Sequence, residues 1–324
     1  MEIIDKTTFF NLTKNFEIIP YTQFRGIYEF HALSGTNKIK FFINDKENPT
    51  IACFGHEKSF GLIKMILIEG ECYLASKDIT TNNIKTFYTE LTLIGYDIIE
   101  VCSNAPFDFK YETALRQGGY LRPVGQFTMP VTKIIDLTTD VSYTKNWHQN
   151  IKKANKFDLV FEPVNDLQLS DCESFISIYH EMSDRKSLGN SLTVEQIYAL
   201  CKAGDFKLFF VLFNNKRITA TIIHERKTHA GSLYATTNNE ALKLSASFFM
   251  YSQLLEYLKQ HGFESFDMEK LIPSTKAVNS VFLFKNGING TFLQLNGEWS
   301  WYKKQYYRPL MYFVKKYLMK KKEL

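Results

Sequence analysis

From residue 1 to about 135, the apolar and polar positions follow the pattern of short strands and two helices. Ile39-Lys40-Phe41-Phe42-Ile43 is strand-like. The polar run Asn44-Asp45-Lys46-Glu47-Asn48 then turns the chain into a second strand, Thr50-Ile51-Ala52-Cys53-Phe54, so the two predict a hairpin. Ile66-Leu67-Ile68 and Cys72-Tyr73-Leu74 read as a further pair folded about Glu69-Gly70-Glu71. Ile84, Phe87, Tyr88, Leu91 and Ile94 recur with a helical period over 81–94, and Gly95 stops the helix. Asp97 to Cys102 is a strand of the buried type, and Phe107 to Gln117 is a second helix closed by Gly118-Gly119.

A new unit opens with the strand Thr132-Lys133-Ile134-Ile135-Asp136-Leu137. Asp140 to Lys156 predicts a basic helix and Val160 to Val164 a strand. Leu167 to Ser183 predicts a helix with Asp166 as its N-cap, and Thr193 to Ala203 another introduced by Ser191. Lys207 to Phe213 and Arg217 to Ile223, joined through Asn214-Asn215-Lys216, form an antiparallel hairpin, with Gly231 to Ala235 as the third strand of a meander. Leu244 to Gln260 is a long helix with Phe248, Tyr251, Leu255 and Leu258 on one face, ended by Gly262. The strand Phe263 to Met268 follows, then a Gly-rich strand region around Gly287 and Gly290. Pro309 is placed to start a last amphipathic helix, running to Leu318.

Composition narrows the class. The chain has 324 residues, enough for two domains, and its 45% hydrophobic and 23% charged residues are globular values. A net charge of +5 permits an anionic ligand without demanding nucleic acid. The five cysteines (Cys53, Cys72, Cys102, Cys172, Cys201) are odd in number and show no CxxC spacing, as expected of reduced thiols in a cytoplasmic protein. No signal peptide is expected at the N-terminus, and no run approaches the roughly 18 apolar residues of a membrane span. The seven histidines show no metal spacing, His224 and His229 included, so no metal site is expected. There is no nucleophile elbow, P-loop or dinucleotide fingerprint.

Three segments carry a family resemblance. Thr132-Lys133-Ile134-Ile135-Asp136-Leu137, followed by Trp147-His148-Gln149-Asn150-Ile151-Lys152-Lys153-Ala154, is similar to a T-x-I-I-D-L strand and a helix ending R-x-N-I-R-K-A, with His148 and Lys152 in place of the arginines. The second is the strand around Tyr234, the long helix, and His261 to Met268, which contains Asp267. The third, Phe284-Lys285-Asn286-Gly287-Ile288-Asn289-Gly290, resembles F-K-x-G-F-G-G, departing at Ile288 and Asn289. In this order the segments resemble the FemABX family, GNAT-like aminoacyltransferases that build peptidoglycan bridges, in its compact form without the helical arm. The order of helix pair, meander, long helix and strand is also that of a GNAT-type fold. The resemblance implies an α/β (α+β) protein of two GNAT-like units facing a shared substrate groove. Residues 1–138 would form the first unit, completed by 300–324, and 139–299 the second.

Acyl transfer to an amine requires a neutral amine, close approach and stabilisation of an oxyanion. Lys285 is the leading catalytic candidate. It follows a Phe that would anchor it and precedes Gly-x-x-Gly, where backbone can approach a ligand; in the family the matching Lys lies by the reactive carbonyl. Asp267, at a strand end, would orient the amine or take its proton. Asn150, Lys152 and Lys153 on the basic helix suit phosphates of a nucleotide- or lipid-linked precursor or of tRNA, and Arg185 suits a phosphate clamp. Tyr234 either lines the channel or packs in a core strand. The position of a CoA pyrophosphate loop carries Leu242-Lys243-Leu244-Ser245-Ala246-Ser247, without glycines, which weighs against CoA.

The expectation is an N-acyltransferase with no tightly bound cofactor, moving an aminoacyl group from aminoacyl-tRNA to an amine of a cell-envelope precursor. An acyl-CoA-dependent enzyme acting on a sugar amine or amino acid, or a non-catalytic envelope-assembly protein, are the alternatives. The lysines at 315, 316 and 320–322 would allow loose contact with an anionic membrane at its inner face.

Overall fold

The computed structural model describes residues 1–35, 38–125, 130–189, 192–272 and 280–319. The chain divides into two compact units, Met1–Val131 with Leu293–Leu324, and Thr132–Phe292. Both are α/β. No helix among the described residues is long and apolar enough to cross a membrane.

The first unit contains strands β1 (Glu2–Ile4), β2 (Lys38–Ile43), β3 (Ile51–Phe60), β4 (Ile63–Ile68), β5 (Cys72–Tyr73) and β6 (Ile98–Pro106), with helices α1 (Lys6–Thr13), α2 (Arg25–Leu33), α3 (Thr81–Leu91) and α4 (Phe109–Gln117). A returning strand, Thr291–Tyr302, pairs antiparallel with β6 and completes the order β1-β2-β3-β4-β6-returning strand. The hairpin expected over 39–54 forms as β2 on β3. The pair expected about Glu69-Gly70-Glu71 does not. β3 is long enough to serve two partners, so β4 pairs with its second half and Cys72–Tyr73 with its first residues. α3 begins where the Thr80 hydroxyl accepts the Asn83 amide, and it buries Ile84, Phe87, Tyr88 and Leu91, the apolar face read from the sequence.

After the returning strand the chain forms a helix, Tyr307–Phe313, which continues to Leu318 as a wider turn; Pro309 is its third residue rather than its first. Tyr302, Tyr307 and Met311 pack with Met65 and Ile98 of the same unit. Lys315 is buried, with its ammonium 2.6 Å from Glu100. It is therefore a structural cation, not a free surface charge. Lys320, Lys321 and Lys322 lie outside the described residues.

The second unit contains β7 (Val131–Asp136), α5 (Lys145–Ala154), β8 (Leu159–Pro163), α6 (Leu169–Lys186), α7 (Val194–Lys202), β9 (Phe206–Phe213), β10 (Lys216–Arg226), β11 (His229–Thr237), α8 (Asn239–Lys243), α9 (Ala246–Gln260), β12 (Ser265–Asp267) and α10 (Ser280–Asn286). Its strand order is β7-β12-β11-β10-β9-β8. The β9–β10 hairpin turns through Asn214 and Asn215 at φ 49° and 58°, the left-handed conformation that asparagine tolerates and a tight hairpin turn demands.

Several boundaries differ from expectation. α5 starts at Lys145 because Tyr143 is held in a bridge to Ile288 and stacks on Trp147. α6 starts after Gln168, whose amide is bonded by Asp171, so Asp166 is not its cap. Thr193 caps α7, whereas Ser191 lies outside the described residues. The long helix expected over 244–260 forms as α9, starting at Ala246, and a short helix, α8, precedes it across Ser245, which sits at φ 57°. Residues 280–286 are helical, not extended.

Candidate functional site

β11 and β12 run parallel, and their pairing covers only three positions, ending at Gly231 opposite Asp267. β11 continues to Thr237 against β10, while the chain after β12 turns away through Glu269 at φ 60°. A cluster of titratable side chains gathers at this divergence.

Asp267 lies at its centre. Its Oδ1 accepts from the Thr132 hydroxyl, and from the Glu269 amide at 2.7 Å. Burial, aided by the Glu269 charge, pushes the Asp267 carboxyl up to about 6, against the opposing effect of the two hydrogen bonds. His224 reaches in from β10, with Nε2 3.2 Å from Glu269 Oε1. Its register partner is Gly231, where an added Cβ would stand 2.2 Å from His224 Nε2; only glycine lets the imidazole lie there.

Lys285 arrives from α10. Its ammonium donates to the carbonyls of Glu269 at 3.1 Å and Lys270 at 3.0 Å. Burial holds the Lys285 amine below its ordinary value, while the charges of Glu269 and Asp267 oppose that shift. Burial thus drives acid and amine alike toward their neutral forms. A second lysine, Lys133 of β7, is buried with its Nζ 3.2 Å from the Asn286 carbonyl, and burial lowers its pKa as well.

The glycines after Lys285 have a different use from the one expected. An added Cβ on Gly287 would lie 1.9 Å from Trp147 Cδ1, and one on Gly290 would lie 2.5 Å from the Ile134 carbonyl. Trp147 donates to the Phe284 carbonyl at 2.9 Å and packs on Tyr143, Phe248 and Phe284. The Gly-x-x-Gly stretch therefore admits the protein's own indole and backbone, and through them sets the position of Lys285.

Lys285 and Asp267 are brought together; the other sequence candidates sit elsewhere in the unit. Arg185 donates to the Thr237 carbonyl and to Asn239 Oδ1, both at 2.7 Å, at the end of β11. Asn150 accepts from the Ser245 hydroxyl at 3.0 Å, beside the start of α9. Lys152 and Lys153 are exposed on α5. Tyr234 is half-buried against Phe175, and burial pushes its phenol up to about 12.

No protein-family model and no curated protein matches the sequence. Solved structures do match. FemX superposes with a TM-score of 0.73 at 12% identity, over 96% of this chain and 100% of FemX. L-PGS from Bacillus licheniformis gives 0.65 at 12% identity, over 97% of this chain and 96% of that one. The chain has the FemX fold. At 12% identity the likeness to FemX is one of architecture, and the chemistry rests on the side chains.

Within that FemX-like frame, His224, Glu269, Thr132 and Lys133 escaped the sequence reading. One signal was present: a histidine and a glycine stand opposite each other across the short β10–β11 turn at Lys227-Thr228. Glu269 carries no local signal, and the T-x-I-I-D-L run marks Thr132 only as part of a strand, because its contact with Asp267 is made across the sheet.

Proposed function

We propose that the protein is an N-acyltransferase using Asp267 as proton acceptor and Lys285 as stabiliser of the developing oxyanion. The observation that carries this is the meeting of the two groups where β11 and β12 part, with burial holding the Asp267 pKa up and the Glu269 and Asp267 charges acting to keep the Lys285 ammonium charged. The attacking amine loses a proton to Asp267 as its nitrogen bonds to the acyl carbon; the adduct then collapses, the acyl C–O bond to the donor breaks, and the leaving oxygen takes that proton back. Asp267, with a pKa near neutrality, suits that transfer at physiological pH. The carbonyl oxygen gains charge in the same step, and a lysine with restricted hydration stabilises it strongly.

The donor in this proposal is aminoacyl-tRNA and the acceptor an amine of a nucleotide- or lipid-linked cell-envelope precursor, as the FemABX resemblance implies. The start of α9 supports this over acyl-CoA. The Ser245 and Phe248 amides are bonded to the Leu242 and Ser245 carbonyls, so fewer amides remain to cradle a pyrophosphate. Arg185, Asn150, Lys152 and Lys153 are proposed to contact substrate phosphates, and the tail beyond Lys316 to touch anionic lipid at the cytoplasmic face.

The deciding experiment supplies the purified chain with a free-amine precursor and either charged tRNA or acyl-CoA, and follows label into the precursor. Transfer from tRNA alone supports the proposal. Transfer from acyl-CoA alone replaces the donor, and no transfer from either sinks the catalytic reading.

A further inference from the structure

The first unit carries a side-chain cluster that acyl transfer does not use. His31 lies on α2, His56 on β3, and Glu69 directly after β4. One ligand-type atom from each of the three lies within 4.8 Å of the others. The two imidazole rings meet edge-on with centroids 4.3 Å apart. His56 is only 4% exposed, and its Nδ1 is buried with no hydrogen-bond partner among the described residues. A buried polar atom left unpaired is costly, and such atoms usually mark a missing partner.

We propose that His31, His56 and Glu69 form a binding site for one divalent transition-metal ion of the zinc type. Two imidazoles and a carboxylate are a borderline-hard nitrogen and oxygen set, which suits zinc and disfavours calcium or magnesium. Ligand atoms on a tetrahedral zinc ion stand about 3.3–3.5 Å apart, given bonds of about 2.0–2.1 Å. The cluster must therefore contract by somewhat more than an ångström, which side-chain rotation of the half-buried His31 and Glu69 supplies.

The bound ion would fasten α2 to the sheet at β3 and β4 and leave one position for water. Sequence spacing hid this site because its ligands come from three separate elements.

The test uses the full chain, treated with chelator and dialysed, then titrated with zinc and with cobalt at neutral pH. The expected result is one saturable equivalent per chain, a raised melting temperature, and visible cobalt absorption of the tetrahedral type. His31→Ala and Glu69→Gln, each checked for native circular dichroism, should each weaken binding by at least about ten-fold. Absence of saturable binding to the wild-type chain would overturn the proposal. So would unchanged stoichiometry and affinity in both variants, since the ion would then sit elsewhere.

Discussion

Asp267→Asn should make the protein more stable and less active. In the folded chain burial raises the carboxyl from 3.8 to about 6. The folded state therefore holds this proton to higher pH than the unfolded chain does. By linkage, stability falls as pH rises through about 4 to 6, and above that window the full cost of a buried carboxylate is borne. That cost is about 3 kcal/mol, from 1.36 kcal/mol per pKa unit. Asparagine keeps an oxygen where Oδ1 accepts from Thr132 and the Glu269 amide, and it carries no charge. The variant should match wild type near about pH 4 and exceed it by up to about 3 kcal/mol near about pH 8. Denaturant melts of both proteins across this range measure the difference. Turnover should move in the opposite direction. Wild-type rate should rise with pH through about 6 as the base ionises, and the variant should lose that limb together with most of its activity. Equal stabilities near about pH 8 would show that the carboxyl is not held up by burial. A retained acid limb in the variant would assign the base to another group.

Three further outcomes follow from particular contacts. Lys285→Ala should keep the native circular dichroism and lower turnover by about 10²-fold or more, and normal turnover would remove the lysine from the chemistry. Gly287→Ala drives a methyl into Trp147, which Tyr143 and Phe248 pack against; a loss of about 1–3 kcal/mol in denaturant melts is expected, and an unchanged midpoint would mean that the indole yields freely. Glu100→Ala leaves the buried Lys315 ammonium unpaired and should cost about 3–5 kcal/mol. Adding Lys315→Met should recover much of it, and a double variant no better than the single would refute this reading.

Local pattern determined much of the architecture. The helical period over 81–94, the β9–β10 hairpin about Asn214-Asn215 and the chain order of meander, helix and strand are all consequences of side chains close in sequence. Period and turn chemistry report which face of an element is apolar and where the chain reverses, and these hold before any tertiary contact forms. Lys285 and Asp267 could be singled out as candidates for a related reason: each stands in a short run of distinctive residues. What those runs did not contain was their surroundings. Phe284-Lys285 is helical rather than extended, and the glycines that follow make way for Trp147 and for the Ile134 carbonyl, both more than a hundred residues earlier in the chain. The same holds for Cys72–Tyr73, which pairs with β3 because that strand has an unpaired end, a fact no local pattern carries. Charge is the clearest case. Asp267, His56 and Lys133 are ordinary titratable residues in sequence, and only closure of the sheets around them removes the water that would keep their pKa values ordinary. Desolvation is a property of the packed molecule, so the tertiary structure alone decided which of the chain's many acids, histidines and lysines are poised to react or to bind.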